Sequence, residues 1–414
     1  MGRDISEFSD PTARLLDLSR LVSRVGRGAF TGVDRVEAAY LRHFLSDAKP
    51  VFAIVRSGFG FTLFDRAGTQ ALADRLFGVV SWGSADLLSR LFVKSSPLRQ
   101  RVETDLRRIA IGRAGRATLR FMLRRHLPEG SAWINVGHSN LKLAMFDAIH
   151  ALDGGQAVVL IHDTIPLDFP AFQREGTVEQ FRVRMEQVAR KADLVVYNSR
   201  ATQDQARSHF ERFGRVPPGL VAHLGIETPE PIAANNPDGL RLDRPYFVIL
   251  GTIEPRKNHA FLLDLWQQLA SRYSSDDMPN LFIVGARGWA NEAVFARLDH
   301  LGPLSTSVHE LGTLPDGAAH ALIQGAVALL MPSFAEGFGL PPGEALALGT
   351  PVIAANLPVY WEVFGNNLVY PPKDDLLSWA KAVDMVLEER PSITNDSISL
   401  PTWNDHFNLI LKVV

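Results

Sequence analysis

The sequence at Pro332–Ala355 reads PSFAEGFGLPPGEALALGTPVIAA and follows an apolar run that ends at Met331. A loop with two glycines leads into two prolines, where a helix is expected to begin because proline is well tolerated at the first helical position. Backbone N–H groups at such a helix start lie at the positive end of the helix dipole and bind anions. The sequence therefore predicts an anion site beside two carboxylates, Glu336 in the loop and Glu344 in the helix.

A second stretch of this type precedes the first and reads GTIEPRKN after the apolar run Phe247–Leu250. Arg256 and Lys257 lie in the loop between this predicted strand and a predicted helix that begins at His259. Ligands of open α/β sheets bind at the carboxyl ends of the strands. Two cations at such a place would stabilise negative charge on a leaving diphosphate. For this pair alone, a solvated basic turn is the alternative.

Short apolar runs alternate with helix-length amphipathic segments along the whole chain. The runs are rich in Val, Ile, Leu and Phe without regular polar alternation, which is typical of strands buried on both faces. This alternation predicts an α/β fold in which helices flank parallel sheets. The predicted strands include Val51–Val55, Trp133–Val136, Val158–Ile161, Leu194–Tyr197, Phe247–Leu250, Leu281–Val284, Leu329–Met331 and Val352–Ala354; the predicted helices include Gly176–Lys191, His259–Tyr273 and Leu376–Leu387.

One stretch with four prolines, Thr228–Pro245, interrupts this alternation and is predicted to be a linker. It would separate an N-terminal domain, 1–227, from a second domain, 246–388. The tail, 389–414, contains helix-breaking residues and then an amphipathic segment, Trp403–Val413, which is predicted to be a helix.

Together these motifs resemble the C-terminal half of the retaining glycosyltransferases of family 4. The resemblance covers almost all of 246–388 and includes the spacing of two glutamates, Glu336 and Glu344, with seven residues between them. It implies the GT-B architecture, in which two Rossmann-like domains with parallel sheets face each other across a cleft, and a tail helix that crosses back to the N-terminal domain. The N-terminal domain, 1–227, would bind the acceptor, and the second domain, 246–388, would bind the nucleotide sugar. It also implies that a hexose is transferred with retention from a nucleotide diphosphate sugar, without a metal or a further cofactor.

The resemblance also assigns roles to individual residues. Arg256 and Lys257 would hold the diphosphate, Glu344 the ribose hydroxyls, and Glu336 the donor sugar. The predicted catalytic set is Arg256, Lys257, Glu336 and His162. The predicted donor-binding set is Gly32, Gly285, Leu314, Gly337, Phe338, Gly339, Leu340 and Glu344.

The N-terminal half resembles the family less closely. His162 follows a predicted strand in the segment IHDTIP, where the family often has His-Asp at the cleft, and would lie against the donor sugar. A packed or capping histidine is the alternative. Gly32 opens the first long helix, where the family has a glycine loop near the donor phosphate. The usual second glycine is absent there, and residues 65–130 match no motif that we can name.

The donor and acceptor are indicated only by analogy. The PRKN turn and the HDTIP segment look most like mannosyltransferases of polysaccharide assembly, so that GDP-mannose is the first expectation for the donor. A glycan or a lipid-linked glycan would be the acceptor. A GT-B sugar-nucleotide epimerase and a non-catalytic sugar-nucleotide-binding subunit remain as alternatives.

Charge is divided unequally along a chain whose formal net charge is −2. Residues 246–414 hold 9 Lys/Arg and 18 Asp/Glu, so the preceding residues carry a net charge of +7. Much of it lies in Arg90–Arg125, where Val102–Leu127 is predicted to form one amphipathic helix. Its arginines suit an anionic membrane surface, and a solvated helix is the alternative. Nucleic acid is not expected, since no recognition motif accompanies this helix.

Several classes of protein are excluded by what the sequence lacks. The absence of cysteine excludes disulfides, thiolate metal sites and a cysteine nucleophile. The absence of Asp-x-Asp argues against a metal-chelating GT-A transferase, and no Walker A or Gly-x-Gly-x-x-Gly motif is present. No apolar run approaches 18 residues, and the N-terminus has no signal-peptide pattern. A cytoplasmic protein with peripheral contact to the inner membrane face is therefore expected.

Overall fold

A computed structural model describes residues 10–28, 30–92, 96–232, 242–389 and 398–414. It contains an eight-stranded sheet in the N-terminal half, up to residue 232, and a five-stranded sheet in the C-terminal half, 242–389. The predicted α/β class is confirmed. All eight predicted strands are present.

The N-terminal sheet has the strand order β4-β3-β2-β1-β5-β6-β7-β8. All neighbours pair in parallel except β3, which pairs antiparallel with β2 and with β4. The strand order runs outward in both directions from β1 and β5, which makes this pair the topological switch point of the sheet. The strands are β1 (Arg14–Asp17), β2 (Val51–Ser57), β3 (Gly60–Phe64), β4 (Gly112–Ala114), β5 (Ala132–Asn135), β6 (Gln156–Ile161), β7 (Leu194–Tyr197) and β8 (Gly219–Val221).

Helices cover both faces of this sheet, and apolar side chains of the sheet are buried in two clusters against them. The helices are α1 (Ser19–Arg24), α2 (Gly32–Ser46), α3 (Arg66–Leu76), α4 (Leu87–Phe92), α5 (Pro97–Ile109), α6 (Leu119–His126), α7 (Leu143–His150), α8 (Ile165–Asp168), α9 (Thr177–Lys191) and α10 (Arg200–Arg212).

The C-terminal sheet has the order β11-β10-β9-β12-β13, and all of its pairs are parallel. Its switch point lies between β9 and β12. The elements are β9 (Tyr246–Leu250), α11 (His259–Ala270), β10 (Asn280–Val284), α12 (Glu292–Asp299), β11 (Val308–Gly312), α13 (Asp316–Gly325), β12 (Ala328–Met331), α14 (Leu340–Ala347), β13 (Val352–Ala354), α15 (Pro358–Phe364) and α16 (Leu376–Glu389).

The last helix, α17 (Trp403–Ile410), packs on α2 of the N-terminal half. The ring of Phe407 stacks on His43 with the ring centroids 3.7 Å apart, and the hydroxyl of Tyr40 lies 2.8 Å from Nε2 of His406. The chain therefore returns to its N-terminal half after the C-terminal sheet is complete. Half of the predicted linker falls on 233–241, and the start of the predicted tail on 390–397. Both lie outside the described residues, so the predicted domain boundaries stay predictions.

The single helix predicted over Val102–Leu127 is wrong. The segment forms the end of α5, then the edge strand β4, then α6. Gly112 begins β4, and pairing with β3 interrupts the helical pattern. Two arginines of α5 form ion pairs within the N-terminal half and are not free to bind a surface. Arg107 pairs with Asp86, and Arg99 pairs with Glu103. Within the described ranges, no helix has the length and apolar character needed to span a membrane.

Candidate functional site

A cavity of about 550 Å³ lies between the two halves of the chain. On one side it is bounded by the exits of β9 and β10, at Gly251 and Gly285, and by the start of α14. On the other side it is bounded by α1, the start of α2 and Arg174. Carboxyl ends of parallel strands near a switch point are the usual place for a ligand in such sheets. We call it the cleft cavity.

The segment Gly337–Gly339 before α14, which we call the glycine loop, touches the opposite half of the molecule. Gly339 has a φ of 103°, which a side chain rarely adopts, and it is the residue from which α14 starts. A Cβ atom at Gly337 would collide with the carbonyl oxygen of His162. The carbonyl oxygen of Gly337 accepts a hydrogen bond of 3.1 Å from the hydroxyl of Thr202. The lack of a side chain at 337 therefore allows the loop to contact the N-terminal half directly.

The two cations of the PRKN turn share one carboxylate. Arg256 Nη1 and Lys257 Nζ each lie 2.7 Å from a different oxygen of Glu336. Arg256 also donates to Glu254 Oε1 at 2.7 Å and to the carbonyl oxygen of Ala335 at 3.0 Å. Two ion pairs thus join the PRKN turn to Glu336, which precedes the glycine loop. The paired residues are 79 and 80 positions apart in the sequence.

These contacts settle the charge of Glu336. Burial raises the pKa of its carboxyl, but Arg256 and Lys257 lower it by more, so that the pKa falls to about 2. Burial lowers the pKa of Lys257, and its pairing with Glu336 opposes that shift. Glu336 is therefore a carboxylate at neutral pH and cannot donate a proton there.

Glu344 lies on the second turn of α14 and faces the other half of the molecule. One of its oxygens accepts a hydrogen bond from Nη1 of Arg35, a residue of α2. Nε2 of His320 lies 3.4 Å from the other oxygen. Arg35 also reaches Asp316 at 3.2 Å. This carboxylate cluster therefore bridges the two halves at one end of the cleft cavity.

His162 lies at the contact between the halves but points into the N-terminal half. Its Nε2 lies 2.6 Å from the carbonyl oxygen of Val136, which only accepts, so Nε2 carries the proton. Burial lowers the pKa of His162 to about 4. The ring is neutral at physiological pH. Burial has the opposite effect on the neighbouring carboxyl group and raises the pKa of Asp163, which lies near Arg256 and Glu336.

Basic side chains dominate the wall of the cleft cavity. Of the lining residues, six are Lys or Arg and two are Asp or Glu. Arg24, Arg27, Arg35 and Arg174 come from the N-terminal half, and Lys257 and Arg287 from the other. An excess of basic over acidic side chains in a cleft raises the local concentration of anionic ligands. The geometry therefore suits a diphosphate.

The structure brings together only part of the predicted site. Gly32, Lys257, Gly285, Leu314, Leu340 and Glu344 all line the cleft cavity. Arg256, Glu336, His162, Gly337, Phe338 and Gly339 do not. The ring of Phe338 is buried beside His223, with the centroids 6.1 Å apart, so it is packed in the core and only its backbone remains for a ligand. The roles assigned to all of these residues stay predictions.

Several residues of the cavity lie outside the sequence motifs. Arg174 places its guanidinium carbon 4.6 Å from the ring centroid of Trp289, and Trp289 Nε1 donates to the carbonyl oxygen of Phe172 at 2.9 Å. Arg24 and Arg27 enter from the end of α1 and the turn after it. A run of arginines beside glycines at 24–28 is the one local signal that could have indicated them. Within the described residues, no cluster of His, Asp and Glu could hold a metal ion.

Residues 233–398 match the family of glycosyl transferases, group 1. This segment includes the glycine loop, the PRKN turn and the C-terminal half of the cleft cavity. The resemblance inferred from the motifs is confirmed for this part of the chain.

The chain is similar to two curated proteins of Escherichia coli. It is 28% identical to the serotype-specific mannosyltransferase WbdA over 275 residues, which are 63% of this chain and 33% of that protein. It is 36% identical to the O-antigen chain mannosyltransferase B over 134 residues, 31% of this chain and 33% of that protein. The chain thus spans about a third of the length of these relatives.

Among solved structures, the chain is similar to HepE of Anabaena in complex with UDP and glucose. The TM-score is 0.58 at 15% sequence identity, over 97% of this chain and 94% of that one. This likeness extends over both halves. The GT-B architecture expected from the motifs is therefore confirmed as the fold.

Proposed function

We propose that this protein is a retaining glycosyltransferase of family 4 that transfers a hexose from a nucleotide diphosphate sugar in polysaccharide assembly. The observation that carries the proposal is the basic cleft cavity, where the start of α14 faces Arg24, Arg27 and Arg35. The names of the mannosyltransferase relatives support mannose as the sugar, with GDP-mannose as the first candidate donor. A glycan or a lipid-linked glycan would be the acceptor.

The donor would lie along the cleft cavity with its diphosphate at the start of α14. Lys257, which lines the cavity, would contact the phosphates, and Leu340, which lines it at the start of α14, would supply a backbone N–H group. Glu344 would bind the ribose hydroxyls, and Arg35 would then have to shift, because it occupies the same carboxylate. Gly285 and Leu314 would border the base.

The proposed reaction is a displacement on the front face of the sugar. The bond between the sugar and the diphosphate breaks, and the acceptor hydroxyl forms the new bond on the same face and gives its proton to the leaving phosphate. Lys257 and the helix dipole stabilise the charge on the departing diphosphate. Glu336, ionised at neutral pH, would position the sugar and orient the two cations instead of donating a proton. The ring of His162 would stay neutral. The backbone carbonyl oxygen of the same residue would remain in contact with Gly337 of the glycine loop.

A screen of nucleotide sugars tests this proposal. GDP-mannose, UDP-glucose, UDP-galactose and UDP-N-acetylglucosamine are each incubated with the protein and extracts of glycan acceptors. Transfer of labelled sugar is expected from one of them, and GDP-mannose is the first candidate. The same donor should raise the melting temperature, because a ligand that binds only the folded state stabilises it. Thermal stabilisation without transfer from any donor would contradict the enzyme and favour a binding subunit.

Activity is expected to survive EDTA. Lys257 and the cavity arginines supply the positive charge that a divalent cation would otherwise provide to a diphosphate. The measurement is the transfer rate before and after dialysis against EDTA, with a metal-dependent transferase treated in parallel as the control. Loss of activity that Mn²⁺ or Mg²⁺ restores would contradict this part of the proposal.

We also propose that the N-terminal half docks on an anionic membrane surface through a basic surface. This surface consists of Arg113, Arg116, Arg120, Arg124 and Arg125, all on or before α6 and exposed, with Phe121 among them. Leu119, Met122 and Leu123 anchor the opposite face of α6 in the core. Phe121 is 57% exposed, and an exposed aromatic ring among arginines is typical of an interfacial helix.

The variant Arg113→Glu, Arg116→Glu, Arg120→Glu, Arg124→Glu should lose binding to vesicles that contain anionic lipid. The wild type should co-sediment with them at low salt and be released at high salt, because salt screens exposed charges. Arg190→Glu, Arg207→Glu and Arg212→Glu on α9 and α10, away from the basic surface, serve as the control. Equal recovery of the wild type on neutral and anionic vesicles, or none on either, would show that the basic surface is only solvated.

A further inference from the structure

A second cavity, of about 350 Å³, lies at the carboxyl edge of the N-terminal sheet. Its walls come from the carboxyl ends of β1 and β5, the pair at the switch point of that sheet, from the end of β2, and from α9. This is the position at which open parallel sheets bind ligands. The cavity is separate from the cleft cavity, and nothing in the proposed donor arrangement uses it.

Three basic side chains line this second cavity: Arg56 near the end of β2, Lys142 in the segment between β5 and α7, and Arg184 on α9. Among the described residues, none of the three side chains has a carboxylate or a hydrogen-bond acceptor as partner. Burial, and then the proximity of Arg56, Arg116 and Arg184, lower the pKa of Lys142. Three mutually repelling cations without an acid indicate that an anion belongs among them.

Asn140 provides an independent indication of a ligand. Its side chain lines the cavity, and the residue is only 8% exposed. The amide nitrogen donates to Asp17 at 3.0 Å, but the amide oxygen has no partner among the described residues. Its backbone is in the left-handed region, with a φ of 60°, as is that of His138 at 54°. A buried acceptor without a donor is unfavourable, and a hydroxyl of a ligand would remove that cost.

The two cavities lie on either side of one short helix. Ser19 and Ser23 of α1 line the second cavity, and Arg24 at the end of the same helix lines the cleft cavity. A molecule bound in the second cavity is therefore within one helix of the donor site. The basic surface lies nearby as well, since Arg116 acts electrostatically on Lys142.

We propose that the second cavity binds a phosphate group of the acceptor substrate. Arg56, Lys142 and Arg184 would contact the phosphate oxygens, and Asn140 would accept a hydrogen bond from a hydroxyl of the adjoining sugar. The identification of the bound molecule as the acceptor rests on the proposed glycosyltransferase function. A phosphorylated sugar could be attached to a lipid through a diphosphate or be free in solution, and both present the same group to these residues.

Calorimetry with inorganic pyrophosphate tests the site. The protein is first saturated with GDP or UDP, whichever binds, so that the cleft cavity is filled. Pyrophosphate should then bind at a second site. Arg56→Ala, Lys142→Ala and Arg184→Ala should each weaken this binding by about tenfold or more, the usual effect of losing a charged hydrogen-bond partner. Arg190→Ala, on the same helix as Arg184 and exposed, is the matched control and should bind as the wild type does.

The three variants should fold, because no ion pair is lost, and their melting temperatures should equal or exceed that of the wild type. Nucleoside diphosphate affinity should be unchanged. The proposal is overturned if the loaded protein binds no pyrophosphate, or if the three variants bind it as the wild type does. If neither nucleotide binds but the variants still lose pyrophosphate, the anion site stands and the proposed glycosyltransferase function fails.

Competition identifies the source of the phosphate. A short-chain prenyl diphosphate and a hexose phosphate are each titrated against bound pyrophosphate. Displacement by the first alone assigns a lipid-linked acceptor, and displacement by the second assigns a soluble one; either result supports the proposal. Failure of both to compete would overturn the assignment to the acceptor.

Discussion

Lys257→Ala is expected to lower turnover by about 10²-fold or more, and Arg256→Ala by a similar factor, the typical cost of losing one preorganised charge-stabilising group. The two losses arise differently. Lys257 lines the cleft cavity and would contact the phosphates, so its removal should also weaken nucleoside diphosphate binding. Arg256 holds Glu336 and the backbone of Ala335, so its removal should release the glycine loop.

Steady-state kinetics of the purified variants, with calorimetry for the nucleotide, measure both effects. Arg272→Ala is the matched control, because Arg272 is a surface arginine of the same half and pairs with Asp384 at 2.6 Å. It should retain wild-type turnover. If Arg256→Ala and Lys257→Ala both turn over at rates near that of the wild type, the diphosphate site has been placed wrongly.

The two glutamates that flank the glycine loop are expected to respond in opposite ways. Glu344→Gln should weaken nucleoside diphosphate binding, because a ribose carboxylate contacts donor and product alike. Glu336→Gln should reduce turnover by about 10²-fold while sparing that binding, because its proposed partner is the sugar. Removing the Glu336 charge also leaves Lys257 without its carboxylate, so nucleotide affinity should not fall.

Calorimetry with the nucleoside diphosphate and kinetics with the full donor separate these outcomes. Glu388→Gln is a suitable control, since Glu388 is an exposed glutamate of α16 and does not line the cleft cavity. Loss of nucleotide binding in Glu336→Gln, with normal binding in Glu344→Gln, would mean that the two roles are exchanged. Unchanged turnover in both variants would remove the glycine loop from the active site.

The buried parallel strands could be predicted because their sequences are continuous apolar runs. Strand β1 was missed for the opposite reason. Its four residues, RLLD, begin and end with charged side chains, although all four are buried. Arg14 is buried because Asp47 pairs with it, and Asp17 because Ser19 and Asn140 donate to it. A four-residue window contains none of these partners.

The same limitation explains the errors at the surface and in the site. The arginines of α5 resemble a solvated face until Asp86, 21 residues earlier, is seen to pair with Arg107. The bridge from Arg35 to Glu344 joins residues 309 positions apart. Local motifs do predict the residues of the glycine loop and the PRKN turn, since their chemistry is contained in a few consecutive residues. They do not predict which cation holds which acid.

The return of α17 to α2 has a mechanical consequence. The backbone N–H of Ile226, after β8, donates to the carbonyl oxygen of Pro401 at 2.9 Å, so the outgoing and returning chain segments are bonded side by side. Such a double connection acts as a pivot, and displacement in a rotation grows with distance from its axis. Gly343, next to Glu344, packs on Ile226 and lies close to this axis. We therefore expect domain opening to move the contact between Trp289 and Phe172 further than the bridge between Arg35 and Glu344, so that a donor would enter from the Trp289 side.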